Sequence, residues 1–113
     1  MTDATNAARI DFDAIAAEAR PALRGILERI LPGGRVVGRE YIVLNPTRMD
    51  HRLGSFKIKI AGPRAGSWSD FATGDRGGDV ISLVAYVEGI GQGEAARLIA
   101  RMLGIDLRGR RHG

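Results

Sequence analysis

Apolar residues recur at intervals of three and four over residues 12–31, which is the pattern of an amphipathic helix. Asp11 stands at its start, where a carboxylate can accept hydrogen bonds from the first free backbone N–H groups. Pro21 interrupts the pattern, because proline cannot donate to the helical hydrogen-bond ladder and disfavours helical geometry at the preceding residue. We therefore expect either a kink at Pro21 or two helices, over residues 12–19 and 21–31.

The pattern then changes to one typical of β-strands. From Ser55 to Ile60 apolar and polar residues alternate, so that one face belongs to the core and the other carries Lys57 and Lys59. Residues 36–44 are rich in β-branched and aromatic side chains, and residues 67–71 follow after a connection of hairpin length. These segments predict a three-stranded antiparallel meander with short turns.

Helical spacing returns in the last third of the chain. Asp79 precedes an apolar run and has the carboxylate of an N-terminal cap, while residues 92–103 form a second amphipathic segment that ends at Gly104. The short turn at residues 89–91 joins the two segments into an αα-hairpin packed on the sheet. The fold class predicted from the sequence is therefore α+β.

The length and composition fit one globular domain. The chain has 113 residues, of which 44% are hydrophobic and 27% are charged, and this is ordinary for a folded domain. We expect a disordered N-terminus over residues 1–10, a single α+β domain over residues 11–106 and a basic flexible tail over residues 107–113.

Several absences in the sequence narrow the chemistry. The chain contains no cysteine, so disulfides and thiolate–zinc sites are excluded. No apolar run approaches the ~18 residues that a membrane-spanning helix needs, and the opening MTDATNAARIDFD lacks the basic start and apolar core of a secretory signal. We therefore expect a cytoplasmic protein with no membrane partner and no cofactor.

Positive charge is concentrated in the segment predicted to form the sheet. The net charge of the chain is +4, and residues 32–78 carry eight Arg and Lys against four Asp and Glu. Such an excess is typical of proteins that bind phosphate backbones, although solubility explains it equally well. The candidate nucleic-acid-binding residues are Arg48, Arg52, Lys57, Lys59, Arg64 and Arg76 for phosphates and Trp68 for stacking on a base.

Three of these candidates also have a plainer interpretation. A pair of lysines on the polar face of a strand is as often a solvated surface as a binding groove, which applies to Lys57 and Lys59. A single tryptophan in a small sheet is more often a core residue than a stacking platform, which applies to Trp68.

The stretch GSWSDFATGDRGGDVISLV (residues 66–84) combines an aromatic strand, a Gly-rich turn and a Gly-Asp helix cap. Together with Ser55-Phe56, Glu94-Ala95 and the ending Leu103-Gly104-Ile105, it resembles the N-terminal zinc-ribbon domain of bacterial and phage DNA primases. The resemblance covers residues 39–105 and is closer still to the primase/helicase-associated branch, in which the metal site has been lost.

The resemblance also assigns the positions of the lost metal ligands. In that family two pairs of Cys and His side chains hold zinc, whereas here Asn45 and Arg48 stand at the first pair of positions and Phe71 and Gly74 at the second. The resemblance therefore implies a degenerate, metal-free zinc-ribbon-like core, in which packing replaces the metal. We expect Phe71 to fill the former metal site.

The resemblance implies a role in DNA replication. In primases this domain engages single-stranded template DNA, while a separate Toprim domain carries polymerisation. The resemblance implies a non-catalytic module that binds single-stranded DNA in phage or bacterial replication, with a replicative helicase or a primase catalytic domain as its protein partner. The alternative is a protein-interaction adaptor that has lost DNA binding along with zinc. An enzyme ranks last, because the sequence offers no nucleophile–base pair, P-loop or metal cluster.

Overall fold

A computed structural model describes residues 9–111 and shows an α+β fold with an N-terminal helix, one antiparallel sheet and two C-terminal helices. The helices are α1 (Phe12–Ala19), α2 (Leu23–Ile30), α3 (Val80–Glu88) and α4 (Gln92–Leu103), and the strands are β1 (Arg35–Val37), β2 (Glu40–Ile42), β3 (Phe56–Lys59), β4 (Trp68–Asp70) and β5 (Arg76–Gly77).

The N-terminal helix is divided at Pro21, as the sequence predicted. A single 3₁₀ turn, Arg20–Ala22, separates α1 from α2, because the proline ring removes one donor from the α-helical ladder. Asp11 caps α1, with its carboxylate accepting a hydrogen bond from the backbone N–H of Ala14 at 3.0 Å.

The sheet has five strands in the order β1-β2-β3-β4-β5, each antiparallel to its neighbours. The prediction of three strands is therefore wrong, because the sheet contains two further short strands. Residues 35–42 form a hairpin of their own around Gly38 and Arg39 instead of one strand. β5 arises within the Gly-rich turn, where the register pairs Trp68 with Gly77. A side chain at Gly77 would collide with the indole of Trp68, so the pairing requires glycine there.

One face of the sheet forms the core together with the helices. The inward side chains Tyr41, Phe56, Ile58 and Trp68 are all at least nine-tenths buried. α3 packs against them, since Tyr86 contacts the rings of both Phe56 and Trp68. On the opposite face no helix among residues 9–111 covers the sheet, and side chains such as Lys57, Lys59 and Ser69 remain partly exposed to solvent.

The C-terminal helices end and begin as predicted. Asp79 caps α3 by accepting from the backbone N–H of Ser82 at 2.8 Å, and Gly104 ends α4 in the left-handed conformation, with φ of 70°. Among the described residues, no helix combines the length and the apolar character that crossing a bilayer requires.

Both predicted loose ends differ from expectation where the structure describes them. Most of the predicted disordered N-terminus lies outside the described residues, but Ile10 packs against the core. In place of a loose tail, residues 105–111 form a tight turn closed by a bridge between Ile105 and Arg111. This turn is tied to the start of α1 by a hydrogen bond from the Asp11 N–H to the carbonyl of Leu107 at 2.9 Å.

Candidate nucleic-acid interface

The open face of the sheet carries a cross-strand row of polar side chains. Ser69 on β4 lies opposite Lys57 on β3 and opposite Arg76 on β5, and side chains directly opposite one another in a sheet point to the same face. Lys59 lies two residues along β3 on this face, opposite Glu40 of β2. Strand alternation thus brings three predicted phosphate-binding cations to one surface.

A groove of about 740 Å³ runs over this surface. Its basic lining residues are Lys57, Lys59, Arg64 and Arg76, and we call this surface the basic groove. Arg64 reaches it from the turn between β3 and β4, where Gly66 has φ of 100° and closes the hairpin with a hydrogen bond to Lys59.

Acidic side chains neutralise the basic groove only in part. Glu40 lies between the two lysines, at 3.9 Å from Lys57 and 3.6 Å from Lys59, and such exposed pairs are weak and screened by salt. Within residues 9–111, Arg64 and Arg76 have no carboxylate within 4.0 Å. Two guanidinium groups are therefore available to an incoming anion.

Trp68 belongs to the core, in agreement with its plainer interpretation. Only 7% of the residue is exposed, its ring lies 4.6 Å from the ring of Tyr86, and its Nε1–H donates to the hydroxyl of Ser82 at 3.0 Å. A base cannot stack on the indole while it holds this position. Trp68 lines the floor of the basic groove without offering a free ring face.

Phe71, unlike Trp68, is exposed to solvent, and the prediction that it fills a former metal site is wrong. The residue is 75% exposed, and the ammonium of Lys57 lies 5.8 Å from the centre of its ring. Alternation along β4 explains the difference, because Trp68 and Asp70 point inward while Ser69 and Phe71 point outward. The same alternation in the sequence could have placed Phe71 on the basic surface.

A buried polar network stands where the resemblance placed the first two metal ligands. Asn45 is 1% exposed, and its amide donates to the carboxylate of Asp70 at 2.7 Å and to the hydroxyl of Tyr86 at 2.9 Å. Arg48 donates to the same carboxylate from Nε at 2.9 Å and to the hydroxyl of Ser55 at 2.9 Å. We call Asn45, Arg48, Asp70 and Tyr86 the polar network.

The polar network connects three separate segments around one fully buried carboxylate. Burial would raise the pKa of Asp70, but hydrogen bonds from Arg48, from Asn45 and from the backbone N–H of Ala72 outweigh burial and lower the pKa to about 2. The hydrogen bond to Asp70 in turn raises the pKa of Arg48. Asp70 is thus ionised and paired at neutral pH, and the sequence had not singled it out.

The network removes Arg48 from the set of available cations. Its guanidinium also lies 3.4 Å from Asp50, so both neighbouring carboxylates are already paired with it. Arg52 lies on the β2–β3 loop and lines a separate, shallow depression with His51 and Leu53. Of the seven predicted site residues, the structure brings together Lys57, Lys59, Arg64 and Arg76, with Trp68 beneath them.

Of the four positions that the resemblance assigned to lost zinc ligands, Phe71 and Gly74 do not contribute to the polar network. Phe71 points to solvent, and Gly74 turns the chain with φ of 84°. Among residues 9–111 no three His, Asp or Glu side chains are grouped so as to hold a metal ion. The cations that remain available therefore lie on the open face of the sheet, in the basic groove.

Comparison with known proteins identifies no relative of this chain. The sequence matches no model of a known protein family, and a search of curated proteins finds no similar sequence.

Proposed function

We propose that this protein binds single-stranded DNA along the basic groove, as a non-catalytic module resembling the template-binding domain of DNA primases. The observation that supports this most is the convergence of Lys57, Lys59, Arg64 and Arg76 on one open face of the sheet. Cations aligned along a groove attract a phosphate backbone by displacing its condensed counterions. The resemblance of residues 39–105 to that primase domain points to the same ligand.

The groove favours an extended strand over a compact anion. Its cations are distributed over β3, β5 and the β3–β4 turn instead of surrounding one point. Phosphates spaced along a single strand can contact such a row in succession, whereas one phosphate would contact only part of it. On the proposed function, the protein partner is a replicative helicase or a primase catalytic domain, in phage or bacterial replication.

We expect a labelled single-stranded oligonucleotide to bind with an affinity that falls steeply with salt. Four phosphate contacts give a log–log slope of about −3 for a single strand. Fluorescence anisotropy over about 50–200 mM salt measures this slope, with a duplex of the same sequence as the comparison. No binding at the lowest salt overturns the proposal, and the alternative function, a protein-interaction adaptor, is then favoured.

Replacing Lys57 and Lys59 together by alanine is expected to reduce that slope by about half, because two of the four phosphate contacts are lost. Stability should change by less than about 1 kcal/mol, because both ammonium groups are partly exposed and paired only weakly with Glu40. The readouts are the anisotropy titration and a urea unfolding curve.

A charge-matched control is available on α2. Replacing Arg24 and Arg29 by alanine removes the same two positive charges from exposed positions that do not line the basic groove. This variant should keep the slope of the parent protein. If both double variants lose affinity equally, the binding depends on net charge alone, and the open face of the sheet is not the site.

A further inference from the structure

One exposed aromatic side chain lines the basic groove. Phe71 is 75% exposed and lines the groove, whereas the next most exposed aromatic side chain among residues 9–111, Phe12, is 39% exposed and lies at the start of α1. A phenyl ring left in water forgoes the favourable free energy of burial. A ligand that has both charge and an apolar face would cover the ring and contact the neighbouring cations at the same time.

The position of Phe71 relative to Lys57 fits one nucleotide. The ammonium of Lys57 lies over the phenyl ring, 5.8 Å from its centre. A base can therefore stack on the other face of the ring while the phosphate of the same nucleotide lies near the ammonium. Arg76 lines the same groove and has no carboxylate partner in the described chain, which leaves it available for the next phosphate.

Hydrogen bonds fix the backbone segment that carries the phenyl ring. The N–H of Phe71 donates to the carbonyl of Ser55 at 3.0 Å, which extends the pairing of β3 with β4 by one residue. The residue before it, Asp70, is fixed in the polar network by Arg48 and Asn45. Phe71 is therefore presented from an anchored strand end, and this limits the conformational entropy lost when a base stacks on it.

We infer that Phe71 is the base-stacking residue of the basic groove and that it makes the groove selective for unstacked bases. This inference rests on the proposed function. Aromatic side chains stack on any base, because every base has a π-face. In a duplex both faces of each base are covered by neighbouring base pairs, so the phenyl ring gains a partner only from a single strand.

The test uses the full chain and two probes that have the same backbone. One probe is a labelled oligothymidylate, and the other is an abasic oligonucleotide of equal length. The parent protein should bind oligothymidylate about 5- to 150-fold more tightly, the range that corresponds to stacking of one base. Phe71→Ala should bind both probes equally, with the salt slope unchanged, whereas Phe71→Trp should retain the preference.

Phe12→Ala serves as the matched control, since it removes another exposed phenyl ring away from the groove. It should leave the preference for bases intact. The inference is overturned if Phe71→Ala keeps that preference, or if its affinity for both probes falls to the same extent. Salt-sensitive binding would in that case still support the proposed function. If the parent protein binds neither probe at low salt, the proposed function itself fails.

Discussion

Replacing Asp70 by alanine is expected to lower the free energy of unfolding by about 3 kcal/mol. The carboxylate is fully buried, and its loss leaves Arg48 and Asn45 without their shared acceptor. Removing one member of a buried ion pair costs about 3–5 kcal/mol, and the lower end applies because the side chain of Arg48 is 25% exposed and can regain water. Urea unfolding followed by the fluorescence of the single tryptophan, Trp68, measures the change.

Asp75→Ala is the control for this measurement. Asp75 lies five residues after Asp70, and its side chain is exposed. Its carboxylate accepts a hydrogen bond from the hydroxyl of Tyr86 at 2.7 Å and is not paired with Arg48 or Asn45. Its replacement should cost less than about 1 kcal/mol. Equal losses in the two variants would mean that the buried pair of Asp70 with Arg48 stabilises the fold no more than the exposed hydrogen bond of Asp75 does.

Acid titration gives a second readout of the same carboxylate. The pKa of Asp70 is about 2 in the folded protein, below its ordinary value of 3.8. Its contribution to stability is therefore complete above about pH 4 and is lost as the pH falls through about 2, a change of about 2 kcal/mol. Asp70→Asn should lack this part of the acid dependence, and a parent protein of constant stability between pH 4 and 2 would contradict the assignment.

Local patterns in the sequence were sufficient to predict the helices. The caps at Asp11, Asp79 and Gly104 and the break at Pro21 depend on residues within one helical turn of each other. The sheet was harder, because β1 and β5 are only three and two residues long. Strands this short are defined by backbone pairing with a neighbour, which leaves little periodic signal in the sequence.

The candidate site was predictable where it depends on alternation and unpredictable where it depends on distant contacts. Alternation placed Lys57 and Lys59 outward, and the same rule applied to β4 places Phe71 outward beside them. The role assigned to Phe71 followed instead from the resemblance to a metal-binding frame. Arg48 pairs with a carboxylate 22 residues later in the chain, and no local sequence pattern predicts a partner at that distance.

The polar network holds residues 45–75 together through one buried carboxylate. Asp70 accepts from Asn45 and Arg48 on the β2–β3 loop and from the backbone of Ala72, and Tyr86 adds α3 to the same cluster. The cluster lies on the inward side of β4, so it also fixes which residues of that strand remain for the open face.

Replacing Trp68 by alanine is expected to lower the free energy of unfolding by about 3–5 kcal/mol, the range for truncating a large buried aromatic side chain. The change removes contacts with Phe56 and Tyr86 and the hydrogen bond to Ser82. Because small domains are stable by only about 5–15 kcal/mol, thermal unfolding followed by circular dichroism should shift strongly. Phe71→Ala provides the comparison, and it should change stability by less than about 0.5 kcal/mol.

These two aromatic variants together separate the floor of the basic groove from its surface. Trp68→Phe keeps an aromatic ring in the core but loses the hydrogen bond to Ser82 and part of the buried volume of the indole. It should therefore still fold, at somewhat lower stability, and bind single-stranded DNA as the parent protein does. Phe71→Ala should fold equally well and lose the preference for bases. The reverse result, in which Trp68→Phe is stable but no longer prefers bases and Phe71→Ala binds normally, would assign stacking to Trp68 and would require β4 to open on binding.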